Sequence, residues 1–93
     1  MNDYFVYILT NRRNGTLYIG VTNDMERRIL EHREGTVDSY TKEHRISMLV
    51  YLERTNDISA ALDREKQLKN WKRDWKERLI ESANPEWHDL SKT

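Results

Sequence analysis

The sequence lacks cysteine altogether and holds only one proline and three glycines among its 93 residues. Without cysteine no disulfide can stabilise the fold, and with no recognisable signal peptide we expect a cytoplasmic protein. No apolar run approaches the roughly 20 residues that a membrane-spanning helix needs, so we expect no membrane partner. A chain of this length forms one small core, and we assign residues 1–93 to a single domain.

The sequence also lacks an excess of either charge, since 16 Lys and Arg residues balance 16 Asp and Glu. Nucleic-acid-binding proteins usually carry a basic excess, so this balance argues against such a partner. The basic residues are nevertheless concentrated between positions 64 and 78, and Arg12 and Arg13 form a second group. Such a run of basic residues commonly forms a helix face that is exposed to solvent, but a phosphate-binding surface also needs basic residues.

Two apolar segments near the start predict a β-hairpin followed by a helix. The segments Tyr4–Thr10 and Leu17–Thr22 are rich in β-branched and aromatic residues and flank the turn signal Asn14-Gly15. Asn23, with Glu26 three residues later, resembles a capping box and predicts a helix that ends at Gly35.

The remainder predicts one more strand and two more helices. A polar loop over 35–45, with one helical turn at most, leads to a strand over 48–54. Asp57 caps a helix to about Asn70, and a further helix covers 71–83, before Asn84-Pro85. We therefore predict an α+β fold of order β-β-α-β-α-α, with a three-stranded antiparallel sheet flanked by helices. Trp87 and Leu90 are expected to fold back onto the core.

One acidic residue stands where an apolar one is expected. Glu65 falls in the middle of the apolar stripe of the second predicted helix, which is formed by Ile58, Ala61, Leu62 and Leu68. A carboxylate buried there without a partner costs several kcal/mol, so it needs an arginine, a cation or a proton. Helix geometry alone leaves a structural salt bridge and a functional carboxylate equally open.

Further candidates lie on the first helix and the hairpin. Arg28 and His32 are four residues apart and share a helix face, where Arg28 can hold a phosphate and His32 can transfer a proton. Tyr18 shares a strand face with Gly20, and glycine inside a strand often marks close approach of a ligand or another backbone. A tyrosine in a sheet, such as Tyr7, usually fills a core or an interface, and an Arg/His pair is commonly an ordinary surface feature.

Taken in order, these motifs resemble the GIY-YIG nuclease family over nearly the whole chain. The matching segments are FVYI at 5–8, LYIG at 17–20, NDMERR at 23–28 and EH at 31–32. REKQLK at 64–69 and NPEWHDL at 84–90 are similar to the small stand-alone bacterial branch of that family.

The resemblance implies a metal-dependent nuclease that hydrolyses phosphodiester bonds in DNA, in repair or recombination. It implies that Arg28 contacts the scissile phosphate and that Glu65 holds one Mg²⁺ or Mn²⁺, weakly in the absence of substrate. Tyr7 and Tyr18 would line the site, Tyr18 as general base or as the group that orients the attacking water, and His32 would assist. We expect DNA to be bound by basic residues of the two groups, namely Arg12, Arg13, Lys69, Lys72 and Lys76.

Two alternatives stay open beside the nuclease. One is a nucleic-acid-binding module that keeps the fold and cuts little, and the other is a protein-interaction domain in which Glu65 is a buried partner of Arg28. The zero net charge favours the interaction domain, whereas the ordered combination of motifs favours the nuclease. Because the chain is too short for a targeting domain, we expect specificity to come from a partner protein, a homodimer or substrate shape.

Overall fold

The structure, a computed structural model, describes residues 2–92. Its elements in chain order are β1 (Tyr4–Thr10), β2 (Leu17–Thr22), α1 (Met25–Glu34), α2 (Ser39–Glu43), β3 (Met48–Thr55), α3 (Ile58–Asn70) and α4 (Arg73–Ala83). The strands form one sheet of order β2-β1-β3 in which both neighbouring pairs are antiparallel. The predicted fold class is confirmed, and α2 is the single helical turn that the polar loop permits.

The sheet is covered on both faces because the central strand β1 alternates between two cores. Val6 and Ile8 pack with residues from α3, α4 and the C-terminal segment. Tyr7 and Leu9 point the other way and pack with Ile29 of α1. The side chains of β1 from Val6 onward are buried on both sides of the sheet. Tyr7 therefore enters the face that α1 covers.

The start of α1 differs from the prediction by one residue. Asp24, not Asn23, is the N-cap, and its carboxylate accepts a hydrogen bond from the backbone N–H of Arg27 at 3.1 Å. Glu26 is then the second helical residue and cannot form the predicted capping box, which needs an acid at the third. The helix ends as predicted at Gly35, which adopts the left-handed conformation with φ of 80°.

Only two of the four residues in the predicted apolar stripe of α3 are buried. Ala61 and Leu68 are fully buried, but Ile58 and Leu62 are 41% and 46% exposed. The buried face of α3 is therefore narrower than the hydrophobic pattern indicates.

The last helix and the C-terminal segment complete the core on the α3 side. α4 begins at Arg73 rather than at Trp71, since the backbone of Trp71 is extended. Trp87 is 2% exposed and packs in the core, as predicted. Leu90 does not follow it, because its side chain is 46% exposed.

The C-terminal segment also covers an irregular part of β3. Ile8 pairs with Tyr51 and Leu9 with Leu49, so Val50 is an extra residue in a β-bulge. The side-chain amide of Asn84 donates to the carbonyl oxygen of Val50 at 3.0 Å. This bond satisfies a backbone group that the bulge takes out of the sheet.

Candidate active site

The candidate site is built around a hydrogen bond between β1 and α1. The phenol oxygen of Tyr7 lies 2.9 Å from Nε2 of His32, and the two side chains are 1% and 0% exposed. Gly20 is opposite Tyr7 in the β1–β2 register, and a Cβ at Gly20 would lie 2.5 Å from Cζ of Tyr7. The close approach at Gly20 is thus made by the side chain of Tyr7 rather than by a ligand or another backbone, and any larger residue at Gly20 would displace the Tyr7 ring.

Tyr18 of β2 reaches the same imidazole from a second direction. Its ring packs edge-on against His32 with the ring centroids 4.9 Å apart, while the Tyr7 ring lies at 5.8 Å. Tyr18 is only half-buried, in contrast to Tyr7. Two tyrosines therefore flank one histidine, and Tyr18 is the one that solvent can reach.

Burial determines the protonation states of these three groups. It raises the pKa of Tyr7 to about 12, although the nearby guanidinium of Arg28 acts in the opposite direction. Burial raises the pKa of Tyr18 as well, and the carboxylates of Asp38 and Glu65 add to that effect. The pKa of His32 is lowered, first by burial and then by the charge of Arg28. At neutral pH both tyrosines hold their protons and His32 is uncharged.

Arg28 contributes a buried guanidinium N–H to the site. Its Nε lies 3.2 Å from Oε1 of Glu31, close enough for an ion pair. The direction is unsuited to a hydrogen bond, however, and within residues 2–92 the buried Nε–H has no hydrogen-bond partner. Buried polar groups are normally hydrogen-bonded, and an unmatched guanidinium donor suits an anion such as phosphate.

Glu65 lies on α3, and its side chain is 20% exposed. Its carboxylate is close enough to Tyr7 and Tyr18 to raise the pKa of both. Its Oε2 is 3.4 Å from Nζ of Lys69, one turn further along α3. Among residues 2–92, the ion pair with Arg28 that the interaction-domain alternative requires is not formed, because each of the two residues pairs within its own helix.

The basic residues predicted to bind nucleic acid lie on two segments that touch. Arg12 and Arg13 are exposed in the loop between β1 and β2. The other three, at the end of α3 and the start of α4, are Lys69, Lys72 and Lys76. Arg73 donates to the carbonyl oxygens of Asn14, at 3.0 Å, and of Gly15, and so joins the loop to α4. The two basic groups therefore lie on neighbouring segments, and Arg13 also lies 3.6 Å from Glu86.

Comparison with known proteins identifies the family. Residues 3–78 match the GIY-YIG catalytic domain. The chain belongs to the GIY-YIG family. This is a family of endonucleases, so the domain is of the nuclease type that the sequence predicted.

Similar proteins of known sequence and structure agree with this assignment. The GIY-YIG chain is 41% identical over 87 residues to a UPF0213 protein of Syntrophus aciditrophicus, covering 92% of this chain and 98% of that one. It is 38% identical over 83 residues to a UPF0213 protein of Haloquadratum walsbyi, covering 89% and 93%. The solution NMR structure of a UPF0213 protein from Bacillus halodurans superposes with a TM-score of 0.59 at 30% identity, covering 98% and 99%. These comparisons confirm the small stand-alone branch and the fold.

The predicted metal ligand of this GIY-YIG domain is a single carboxylate, that of Glu65. Within the described part of the chain, no three histidine or acidic side chains are arranged to hold an ion together. The predicted donor set is Glu65 with water and substrate phosphate, and Mg²⁺ is commonly bound through one or two carboxylates in this way. The residues therefore fit a weakly held divalent ion. None of the helices in residues 2–92 has the length and apolar character needed to cross a membrane.

One residue of the site has no counterpart among the sequence-based candidates. Thr41 of α2 is fully buried, and its Oγ1 lies 2.9 Å from Nδ1 of His32. The sequence does carry a local signal for this turn, because Asp38 is a residue type that commonly caps the start of a helix. Nothing in the sequence, however, indicates that this turn packs against α1.

Proposed function

We propose that this GIY-YIG protein is a divalent-metal-dependent endonuclease that hydrolyses phosphodiester bonds in DNA. The observation that carries the proposal is the hydrogen bond between Tyr7 and an uncharged His32, next to the unmatched donor of Arg28. A buried acid–base pair beside an anion-binding donor is what phosphodiester hydrolysis requires. A domain that only bound another protein would need neither.

Arg28 supplies the contact with the phosphate. Its charge already affects Tyr7, Tyr18 and His32, so a phosphate held by its guanidinium would lie beside all three. Because the site is partly buried, the attraction between guanidinium and phosphate is stronger there than in open water. Arg28 would therefore bind the scissile group and stabilise the extra negative charge of the transition state.

Tyr18 would orient the attacking water, and Tyr7 and His32 would accept its proton. Tyr18 is open to solvent and protonated, so its oxygen can accept a hydrogen bond from the water and orient it. Tyr7 already contacts Nε2 of His32, which is neutral and can accept a proton. A proton that leaves the water through the Tyr7 oxygen would thus reach His32. The phosphate on Arg28 would offset the repulsion between the new imidazolium and the guanidinium.

Glu65 would hold the divalent ion. Bound there, Mg²⁺ or Mn²⁺ supplies charge that stabilises the developing negative charge on the phosphate and the leaving oxygen. Lys69 contacts the same carboxylate at 3.4 Å, so it must move aside when a cation binds. This competition and the single carboxylate both favour weak binding before DNA arrives.

The DNA backbone would run along the two predicted basic groups, on the segments that Arg73 connects. We infer a role in repair or recombination on branched or damaged DNA, with specificity from substrate shape, a homodimer or a partner protein. A chain without cysteine suits the reducing cytoplasm, where we place this activity.

The test is to incubate the protein with branched, nicked, single-stranded and double-stranded DNA, and with RNA, each with and without Mg²⁺ or Mn²⁺. We expect metal-dependent cleavage of DNA that Arg28→Ala abolishes. Salt-sensitive binding of DNA without cleavage would favour the nucleic-acid-binding module instead. Neither binding nor cleavage would favour the protein-interaction domain.

A further inference from the structure

Thr41 connects α2 to the imidazole of His32 through buried groups alone. Its Oγ1 lies 2.9 Å from Nδ1 of His32 and 2.8 Å from the backbone carbonyl oxygen of Asp38. Thr41 and His32 are both 0% exposed. With the contact between Tyr7 and Nε2, this makes a continuous chain of three hydrogen bonds from β1 through α1 to α2.

The carbonyl oxygen of Asp38, at the end of this series of hydrogen bonds, determines the direction of every bond in the series. A hydroxyl has one hydrogen, and a carbonyl oxygen can only accept, so Thr41 donates to Asp38. Its Oγ1 must then accept from Nδ1 of His32, which places the imidazole proton on Nδ1. Nε2 is left as the acceptor for the Tyr7 hydroxyl. In the reverse direction Thr41 would give its one hydrogen to Nδ1 of His32 and lose its part-buried hydrogen bond to the carbonyl oxygen of Asp38.

We propose that Thr41 is a positioning residue that fixes His32 in the tautomer protonated on Nδ1, and thereby makes Nε2 the proton acceptor that faces Tyr7. The catalytic meaning of this assignment rests on the proposed nuclease function, whereas the tautomer itself does not. Thr41 acts through His32 and does not touch the substrate.

A consequence is that His32 can store a proton but cannot pass it onward. When Nε2 accepts a proton, Nδ1–H remains bonded to Thr41, whose own hydrogen is bonded to a backbone carbonyl that cannot take it up. The imidazolium therefore has one exit, back through Tyr7 to the site. Each turnover must return the proton by the route on which it arrived.

The tautomer can be measured directly on the intact chain. We would label the protein with ¹⁵N, record imidazole nitrogen shifts at pH 8, where His32 is neutral, and assign its signals by their loss in His32→Gln. We expect Nδ1 to have the shift of a protonated nitrogen and Nε2 that of an unprotonated one. A protonated Nε2 overturns the proposal, whether or not the protein cleaves DNA.

Variants at Thr41 test the positioning role. Thr41→Val removes the hydroxyl at nearly constant shape, and we expect a loss of the pure Nδ1-protonated tautomer and a fall in kcat of roughly tenfold to a hundredfold, with KM unchanged. Thr41→Ser keeps the hydroxyl and should keep both the tautomer and most of kcat. The matched control is Thr36→Val, because the Thr36 hydroxyl bonds to the carbonyl of Glu31 and not to His32.

The outcomes separate this proposal from the proposed function. If Thr41→Val keeps both the tautomer and kcat, Thr41 does not position His32. If the parent cleaves no DNA, the nuclease proposal fails, and the ¹⁵N shifts of the parent and of Thr41→Val still decide the tautomer. If Thr41→Val does not fold, as judged by circular dichroism, the shifts of the parent and of Thr41→Ser decide it.

Discussion

The phenol of Tyr7 and the imidazole of His32 form a buried hydrogen bond, with the phenol oxygen 2.9 Å from Nε2. Removing either group leaves a buried polar atom without its partner, which typically costs about 1–3 kcal/mol of stability. Substitutions at these two positions will therefore mix effects on folding with effects on chemistry. Arg28 and Glu65 are more exposed and give cleaner tests of catalysis.

Arg28→Ala should abolish cleavage while the fold remains intact. Loss of one preorganised electrostatic stabiliser commonly lowers the rate by roughly a hundredfold to a thousandfold. Cleavage rates and a thermal melt of the same preparation would separate activity from stability. Arg27→Ala is the matched control, because Arg27 is an exposed arginine that shares Glu31 as a neighbour. Equal losses in the two variants would remove the special role of Arg28.

Glu65→Gln should also abolish metal-dependent cleavage, but it should preserve or improve DNA binding in the absence of metal. The reason is that the substitution removes a negative charge close to the bound phosphates and keeps the shape of the side chain. Cleavage and fluorescence-anisotropy binding assays with EDTA or Mg²⁺ would measure both effects. Asp63→Asn, an exposed position on the same helix, is the control. Full Mg²⁺-dependent activity in Glu65→Gln would contradict the metal assignment.

Replacing Lys69, Lys72 and Lys76 with alanine should weaken DNA binding and flatten its dependence on salt. On duplex DNA, the slope of log K against log salt should fall by roughly 0.9 for each phosphate that the variant no longer neutralises. A salt titration of binding measures this slope. The control removes three other exposed cations, Arg33, Arg54 and Lys92. Similar slopes for both triple variants would indicate non-specific attraction rather than a defined surface.

The ion pair between Glu53 and Arg64 should make stability fall in acid. Two Arg64 nitrogens lie 2.9 Å from the Glu53 carboxylate, and the Tyr51 hydroxyl donates to it at 2.6 Å. Burial raises the pKa of Glu53, but the hydrogen bonds from Arg64 and Tyr51 and the Arg64 charge outweigh it, so the folded-state pKa is below its usual value. The stabilisation is therefore present above the unfolded-state pKa and is lost as pH falls through the folded-state pKa.

Denaturant unfolding of Glu53→Gln tests this dependence. We expect a loss of about 1–3 kcal/mol at pH 7, typical of hydrogen bonds to charged groups, and a smaller difference from the parent at pH 3. Glu86→Gln is the control, since Glu86 forms an exposed pair with Arg13 and should change stability little at either pH. A difference that stays constant with pH would show that the carboxylate charge is not responsible.

The sequence predicted what depends on local periodicity and on ordered motifs. Strand alternation placed Tyr18 on the strand face that Gly20 shares, and helix spacing placed Arg28 and His32 on one helix face; that Tyr7 and Tyr18 share one face of the sheet is shown by the structure. The sequence could not tell Asp24 from Asn23 as the N-cap, because both side chains can accept the same hydrogen bond and only the backbone decides. The exposure of Leu62 depends on how α3 lies against the sheet, which hydrophobicity along one helix does not determine.

Thr41 escapes prediction for a different reason. Its role depends on a contact between two helices that the polar loop over 35–38 separates, and such long-range packing leaves no periodic signal. The roles of the individual site residues stay predictions until the variants above are measured.

The hydrogen bond between Asn84 and the bulged Val50 has a practical consequence for where an expressed fragment of this domain should end. The family match ends at residue 78, but Ile80, Asn84 and Trp87 lie beyond it and are buried against β3 and the sheet. A fragment trimmed to the boundary of the match would lose part of its core and uncover an edge strand with unpaired backbone groups, which promotes aggregation. The region that matches the family is thus shorter than the region that the domain needs in order to fold.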